Sequence, residues 1–155
     1  MIFNMDKKLL LLADDDIDDT EMFCEALAVV DKDVICHCAK NGREALKILS
    51  DLNEKPQLIF LDLNMPVLSG WDCLKIIKKD LRFKEIPVIM ISTSSHQNDM
   101  HTASELGAIC YFVKPNSFTD LKNVLDEIIS NLGAGLKEAI INLQANSRHI
   151  FANKG

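Results

Sequence analysis

The chain has 155 residues, of which 48% are hydrophobic and 26% are charged, and its formal net charge is −6. This length and composition predict one globular domain with a sizeable core and exclude a disordered or fibrous protein. The acidic balance argues against binding to nucleic acid, which needs a basic face. The sequence has no apolar stretch long enough to span a membrane, and the run after Lys7 and Lys8 is too short for a signal peptide. We therefore expect a cytoplasmic protein.

Five short apolar runs alternate with segments of helical spacing along the chain. The strands are predicted at 9–13, 33–39, 58–62, 88–91 and 108–113. The helices are predicted at 17–30, 45–52, 70–80, 97–106 and 118–132. This alternation predicts an α/β fold, with a parallel sheet and helices on both of its faces. Asp16 or Asp18 is expected to cap the first helix.

Residues 133–155 follow the last of these helices as a C-terminal tail, because Gly133 and Gly135 interrupt the helical pattern. We expect the domain itself to span 1–132. Within the tail, 136–146 is weakly amphipathic and predicts a short extra helix or an extension of the last one, whereas 147–155 is expected to be frayed. The tail is also a candidate dimerisation element.

Polar side chains with complementary chemistry follow four of the predicted strands. Because the carboxyl ends of parallel strands meet at one edge of a sheet, we expect these side chains to form one site. Clustered carboxylates repel one another unless a cation intervenes, so the pattern implies Mg²⁺, a hard ion that prefers oxygen ligands. Beside such an ion an aspartate could act as a nucleophile toward phosphorus, while a lysine and a hydroxyl contact phosphoryl oxygens. The residues at these strand ends are Asp14, Asp15, Asp16, Asp62, Ser92 and Lys114.

The five cysteines are odd in number and scattered among apolar residues, which favours buried free thiols. Cys36 and Cys38 are expected to share one face of the second strand, with His37 on the other face. This alternation argues against a Cys-His-Cys metal site.

In chain order, the strand-end motifs resemble the receiver domains of two-component response regulators, in particular the stand-alone, chemotaxis-regulator-like ones. The resemblance covers about 8–132, and although each motif is weak alone, all four in family order are specific. It implies a doubly wound, five-stranded parallel sheet in the flavodoxin-like order 2-1-3-4-5. The motifs are Leu-Leu-Ala-Asp-Asp at 11–15, Leu-Asp-Leu-Asn-Met-Pro at 61–66, Ile-Ser at 91–92 and Tyr-Phe-Val-Lys-Pro at 111–115.

The resemblance also implies roles for individual residues. Asp62 is expected to accept the phosphoryl group, Lys114 to contact the phosphate, and Ser92 to supply the site hydroxyl that moves in the switch. A cis bond is implied between Lys114 and Pro115. The remaining implied roles belong to Asp15 as a direct Mg²⁺ ligand, Asp14 as a ligand through water, Asp62 and the backbone carbonyl of Asn64 as further ligands, and Tyr111 as the aromatic switch residue.

Two features depart from the usual family pattern. The site hydroxyl is a serine rather than the commoner threonine, which keeps the hydrogen bond but loses a methyl group that restricts the rotamer. Three consecutive aspartates also leave two registers open for the metal pair, Asp14 with Asp15 or Asp15 with Asp16. The first register is preferred because the acidic pair of the family directly follows the apolar run.

The implied function is that of a phosphoacceptor that acts only on itself, and not of an enzyme with an independent substrate. We expect a histidine kinase or phosphotransfer protein to phosphorylate Asp62 in the presence of Mg²⁺. Phosphorylation would change binding of an unidentified downstream protein at the face formed by helix four, strand five and helix five. We expect a monomer or weak dimer that binds neither nucleic acid nor membrane.

Three alternatives belong to other functional classes. A phosphohydrolase resembling the haloacid dehalogenase superfamily would carry a second acid two residues after the nucleophile, where this chain has Asn64. A flavin-binding module of the same topology would place phosphate against the aspartate cluster, which would repel it. A non-phosphorylated scaffold would not require the full set of site residues.

Overall fold

A computed structural model describes residues 8–152, which form one six-stranded sheet covered by helices on both faces. The strands lie in the order β2-β1-β3-β4-β5-β6. The first five are parallel, so the predicted 2-1-3-4-5 order is confirmed, and β6 joins β5 in the antiparallel sense. In chain order the elements are β1 (Lys8–Ala13), α1 (Ile17–Val30), β2 (Val34–Ala39), α2 (Gly42–Asp51), β3 (Leu58–Asp62), α3 (Gly70–Lys79), β4 (Val88–Ser92), α4 (Gln97–Glu105), β5 (Cys110–Val113), α5 (Phe118–Ser130), α6 (Leu136–Asn146) and β6 (Ile150–Ala152).

The central strands are buried on both faces, which explains why their sequences are continuously apolar. In β1, Leu10 and Leu12 contribute to the core beneath α1, α5 and α6. Leu11 and Ala13 contribute to the opposite core, beneath α2, α3 and α4. Each fully buried leucine stabilises the fold by roughly 1.5–3 kcal/mol. The two cores hold the carboxyl ends of the strands in fixed register.

Four of the helices begin at a residue whose side chain accepts a hydrogen bond from a backbone N–H in the first turn. Such N-caps each contribute about 1 kcal/mol. Asp16 caps α1 and accepts from the N–H of Asp19, so the first of the two predicted caps is the one observed. Across 8–152 no helix is long and apolar enough to cross a membrane. The other three capping residues are Asn41, Ser69 and Ser117.

The segment after Gly133 packs onto the sheet. Three residues of α6 are buried, and two of them, Leu136 and Ile140, share a core with α1 and α5. The strand β6 pairs with β5, with Ile150 opposite Phe112. The prediction of a frayed end is therefore wrong for 150–152. These residues form a strand because they pair with the open edge of β5, and a segment of three residues is too short to show this in its sequence. Residues 147–149, which the prediction also included, connect α6 to β6, and the carbonyl of His149 accepts the N–H of Val113 at 2.8 Å. The remaining residues, 153–155, lie outside the described residues.

The peptide bond between Lys114 and Pro115 is trans, since the described part of the chain contains no cis bond. The implied cis bond is thus wrong for this structure. Trans is the ordinary preference of an X-Pro bond, by about 0.5–1 kcal/mol.

Two neighbouring isoleucines of α6 test whether this helix belongs to the core. Ile140 is 2% exposed, whereas Ile141 is 61% exposed. We expect Ile140→Ala to lower the free energy of unfolding by roughly 2–4 kcal/mol, because it removes buried methyl groups and leaves a cavity. Ile141→Ala is the matched control and should change stability by no more than about 0.5 kcal/mol. Urea denaturation measures both, and equal effects would contradict the packing of α6.

Candidate functional site

Three carboxylates meet at the carboxyl edge of the sheet. Ala13 and Leu61 are opposite each other in the β1–β3 ladder, so Asp14 and Asp62 follow neighbouring strands at the same level. One oxygen from each of Asp14, Asp15 and Asp62 lies within 4.8 Å of the other two. The side chain of Asp14 is 2% exposed and that of Asp62 is 13% exposed. Asp15 is exposed and gives the cluster its opening to solvent.

The ammonium of Lys114 is placed among these carboxylates. Its Nζ lies 2.8 Å from an oxygen of Asp14 and 2.9 Å from an oxygen of Asp19. A third oxygen, from Asp62, is 3.5 Å away. Burial disfavours the charged amine, but the hydrogen bonds to the two nearer aspartates outweigh it, and the pKa of Lys114 is raised. The lysine is therefore a fixed positive charge in this site.

Asp19 is a site residue that the sequence analysis did not single out. In the structure its carboxylate helps to position Lys114. A signal was available, because Asp19 lies in the first turn of α1, shortly after the end of β1. A pairing between residues 95 positions apart, however, could not be read from spacing.

Asp62 is the carboxylate whose ionisation is most disturbed by the site. Burial is the main cause, and the nearby charges of Asp14 and Asp15 add to it. Lys114 opposes this effect, yet the pKa of Asp62 is still raised from 3.8 to about 7. Without a cation, the site therefore favours the protonated form of Asp62 below neutral pH.

The structure separates the third aspartate of the run from the cluster. The carboxylate of Asp16 accepts the N–H of Asp19 at 3.0 Å and so caps α1. An oxygen of Asp14 in turn accepts the N–H of Asp16 at 3.0 Å, which orients the Asp14 side chain. Of the two registers considered for the metal pair, Asp14 with Asp15 is the one that lies beside Asp62.

The donor set fits a hard divalent cation. Mg²⁺ prefers oxygen ligands, takes one or two carboxylates and keeps several waters, which the exposed side of Asp15 allows. A cation here would also relieve the repulsion that raises the pKa of Asp62. Asn64 lies in the exposed loop two residues after Asp62, and its role as a carbonyl ligand stays a prediction.

Ser92 and Tyr111 are linked through the loop that follows β4. Ser92 is buried, and its Oγ accepts the N–H of Ser94 at 3.0 Å. The hydroxyl of Tyr111 donates to the carbonyl oxygen of Ser94 at 2.8 Å. Asp62 is opposite Ile91 in the β3–β4 ladder, so Ser92 follows one residue beyond the level of Asp62. One loop residue thus contacts both the site hydroxyl and the buried tyrosine.

Gly70 is a positioning residue that sequence reasoning missed. A Cβ atom at this position would lie 1.9 Å from the carbonyl oxygen of Asp62, so only glycine permits this approach. The N–H of Gly70 donates to the carbonyl of Leu63 at 2.9 Å. The start of α3 is therefore held directly against the end of β3. The Ser69-Gly70 pair that opens the helix was the available signal.

Comparison with known proteins identifies the family. A family model described as the response regulator receiver domain matches residues 10–126. The chain belongs to the response regulator receiver family. The chemotaxis protein CheY1 of Helicobacter pylori is 38% identical to this receiver over 91 residues, which cover 59% of this chain and 73% of that protein.

Solved structures agree with this assignment. The manganese-bound form of response regulator Rcp1 has a TM-score of 0.71 and 30% identity, and the match covers 82% of this receiver and 96% of that chain. The phosphorylated cyanobacterial phytochrome response regulator RcpA has a TM-score of 0.74 and 30% identity, with 81% and 93% covered. Receivers bind Mg²⁺ or Mn²⁺ at an acidic pocket, receive phosphoryl groups from histidine kinases and act on downstream proteins.

The raised pKa of Asp62 predicts how stability of the metal-free receiver depends on pH. A carboxyl whose folded pKa is about 7 instead of 3.8 contributes stability that is fully present below pH 3.8 and is lost as the pH rises from 3.8 to about 7, because the unfolded state ionises first. Asp62→Asn, which stays neutral, should match the wild type near pH 4 and exceed it by on the order of 2 kcal/mol near pH 8.

Urea denaturation in the presence of a chelator measures this difference. Asp18→Asn is the matched control, because Asp18 is an exposed carboxylate of the same aspartate run. The control should follow the wild type at every pH. A stability gain for Asp62→Asn that is the same at low and high pH would contradict the proposed ionisation of Asp62.

Proposed function

We propose that this receiver accepts a phosphoryl group on Asp62 from a histidine kinase or phosphotransfer protein, in an Mg²⁺-dependent reaction. The observation that supports it most strongly is the placement of Asp62, which shares the acidic cluster with Asp14 and Asp15 and lies 3.5 Å from the ammonium of Lys114. A nucleophile, candidate metal ligands and a fixed positive charge are thus available together.

The chemistry follows from these groups. A carboxylate oxygen of Asp62 attacks the phosphorus of phosphohistidine, the new P–O bond forms as the P–N bond breaks, and the leaving imidazole takes a proton from solvent. Bound Mg²⁺ would supply charge neutralisation for the phosphoryl oxygens. Lys114 is held by Asp14 and Asp19, so it can contact a phosphoryl oxygen without losing its other partners.

The response to phosphorylation is expected to pass through the loop after β4. A phosphoryl oxygen on Asp62 offers the hydroxyl of Ser92 a new acceptor, and Ser94 is bonded to both Ser92 and Tyr111. A shift of Ser92 would therefore move the loop and change the surroundings of Tyr111. This is a change in population between two states, so a downstream protein must prefer one of them.

The predicted output face of α4, β5 and α5 must be revised to include β6. Since β6 pairs with the free side of β5, strand five does not present an open edge. Tyr111 is opposite Phe151 in this ladder. We infer that the responsive surface is formed by α4, the loop at 93–96 and β6, together with the neighbouring part of α5.

The receiver is proposed to act only on itself. An aspartyl phosphohydrolase would need a general acid two residues after Asp62, and that position is Asn64. Steady release of phosphate from a monoester over many turnovers would support the hydrolase and oppose the receiver assignment.

Intact-protein mass after incubation with acetyl phosphate tests the phosphoacceptor. We expect one added phosphoryl group that requires Mg²⁺, is removed by hydroxylamine and is absent in Asp62→Asn. Asp15→Asn should weaken Mg²⁺ affinity by roughly tenfold or more, because it removes a candidate ligand, so phosphorylation of this variant should need a higher Mg²⁺ concentration. Asp18→Asn should behave as the wild type. No adduct and no binding of beryllofluoride would overturn the proposal.

The proposed change around Tyr111 can be followed by ¹⁹F NMR, because Tyr111 is the single tyrosine of the chain. Fluorotyrosine labelling therefore gives one ¹⁹F resonance. With Mg²⁺ and beryllofluoride, we expect this resonance to shift in the wild type and to remain unchanged in Asp62→Asn. Ser92→Ala should bind beryllofluoride while shifting the resonance less, since it lacks the hydroxyl that couples the loop. An unchanged wild-type resonance under saturating beryllofluoride would show that Tyr111 is a packing residue.

A further inference from the structure

Three cysteine thiols meet at the edge of the sheet, on the face covered by α1. Cys24 comes from α1, while Cys36 and Cys38 come from the edge strand β2. Their sulfur atoms all lie within 4.8 Å of one another. The sulfurs of Cys24 and Cys38 are 3.7 Å apart. The alternation along β2 does place Cys36 and Cys38 on one face, and the third sulfur comes from the helix above them.

The spacing of these sulfurs fits a shared metal ion. A Zn–S bond is about 2.3 Å, so two sulfurs of a tetrahedral zinc site lie about 3.8 Å apart. The separation of 3.7 Å between Cys24 and Cys38 is close to this value. The other two sulfur–sulfur separations are no more than 4.8 Å, so small side-chain movements would bring all three sulfurs to the corners of a tetrahedron.

The helix that carries Cys24 is acidic, and the cysteine cluster is reachable from solvent. The helix α1 contains four acidic residues and no lysine or arginine. Cys38 is exposed, so an ion can enter from solvent and a water can occupy a fourth position. Within the described residues, no fourth carboxylate or histidine joins this group. The acidic residues of α1 are Asp18, Asp19, Glu21 and Glu25.

We propose that Cys24, Cys36 and Cys38 together bind a thiophilic d¹⁰ cation, with Zn²⁺ as the fitting ion and water as the fourth ligand. Each thiol releases its proton to solvent as its sulfur bonds the metal. Thiolates select soft ions and carboxylates select hard ones, so this thiolate site and the acidic cluster take different metals. The bound ion ties α1 to the edge strand β2, and α1 carries Asp19, a partner of Lys114.

Titration of the reduced full chain with Co²⁺ or Cd²⁺, in saturating Mg²⁺, tests the site. Mg²⁺ occupies the acidic cluster, and the sulfur-to-metal charge-transfer band reports thiolate ligands only. We expect one equivalent of either ion to bind, Zn²⁺ to displace bound Co²⁺, and Zn²⁺ to raise the midpoint temperature of unfolding. Cys24→Ala, Cys36→Ala and Cys38→Ala should each weaken binding by roughly tenfold or more.

Cys73→Ala and Cys110→Ala are the matched controls, because both cysteines are buried elsewhere in the fold. They should leave the titration unchanged. Cys38 is exposed, so Cys38→Ser gives a folded variant if substitution at Cys36 disturbs the core. Absence of the charge-transfer band in the reduced wild type, or a band that persists at equal affinity in Cys38→Ser, would overturn the proposal. Neither result depends on phosphorylation of Asp62.

Discussion

The site depends on a single ammonium placed among four carboxylates. Lys114 contacts Asp14, Asp19 and Asp62, while Asp15 completes the acidic cluster. At 4 Å and an effective dielectric of about 20, each pair of unit charges interacts with about 4 kcal/mol, so the repulsions among the carboxylates rival the attractions to the one lysine. The surplus negative charge is what a divalent cation would offset. The two apolar cores hold the strand ends in place and so offset the repulsion among the carboxylates.

The central sheet and most of the candidate site could be predicted from the sequence because both depend on local patterns. A strand buried on both faces must be continuously apolar, and its polar terminal residue then marks the carboxyl edge. Asp62, Ser92 and Lys114 were found in this way. The preference for Asp14 over Asp16 came from the resemblance, and the cap that Asp16 forms agrees with it.

The features that were missed depend on distant parts of the chain meeting. The three residues of β6 form a strand only because they pair with the free edge of β5. Asp19 reaches Lys114 across a sequence gap of 95 residues. The pairing of Cys24 with two cysteines of β2 requires the angle at which α1 crosses the sheet. None of these contacts produces a periodic pattern in the sequence. The steric requirement for glycine at position 70 likewise becomes visible only when α3 is packed against β3.

The segment from α6 to β6 alters how a signal could leave the site. In a bare five-stranded sheet, β5 would expose unpaired backbone groups, which are a template for another strand. Here Phe151 lies opposite Tyr111, and the backbone of β6 occupies that edge. A movement of Tyr111 would therefore first displace its neighbour in β6. Under the proposed function, a downstream partner would contact side chains of α4 and β6, because the edge of β5 is already paired.

The pairing of Lys114 with Asp14 joins two residues that are 100 positions apart. The first carboxylates leave the ribosome long before the lysine that balances them, and contacts between residues so far apart in the sequence slow folding. A nascent chain or a proteolytic fragment that ends before β5 holds clustered aspartates without their counter-charge. The complete site is consequently a product of the finished sheet, and an incomplete copy of the domain cannot reproduce its arrangement of charges.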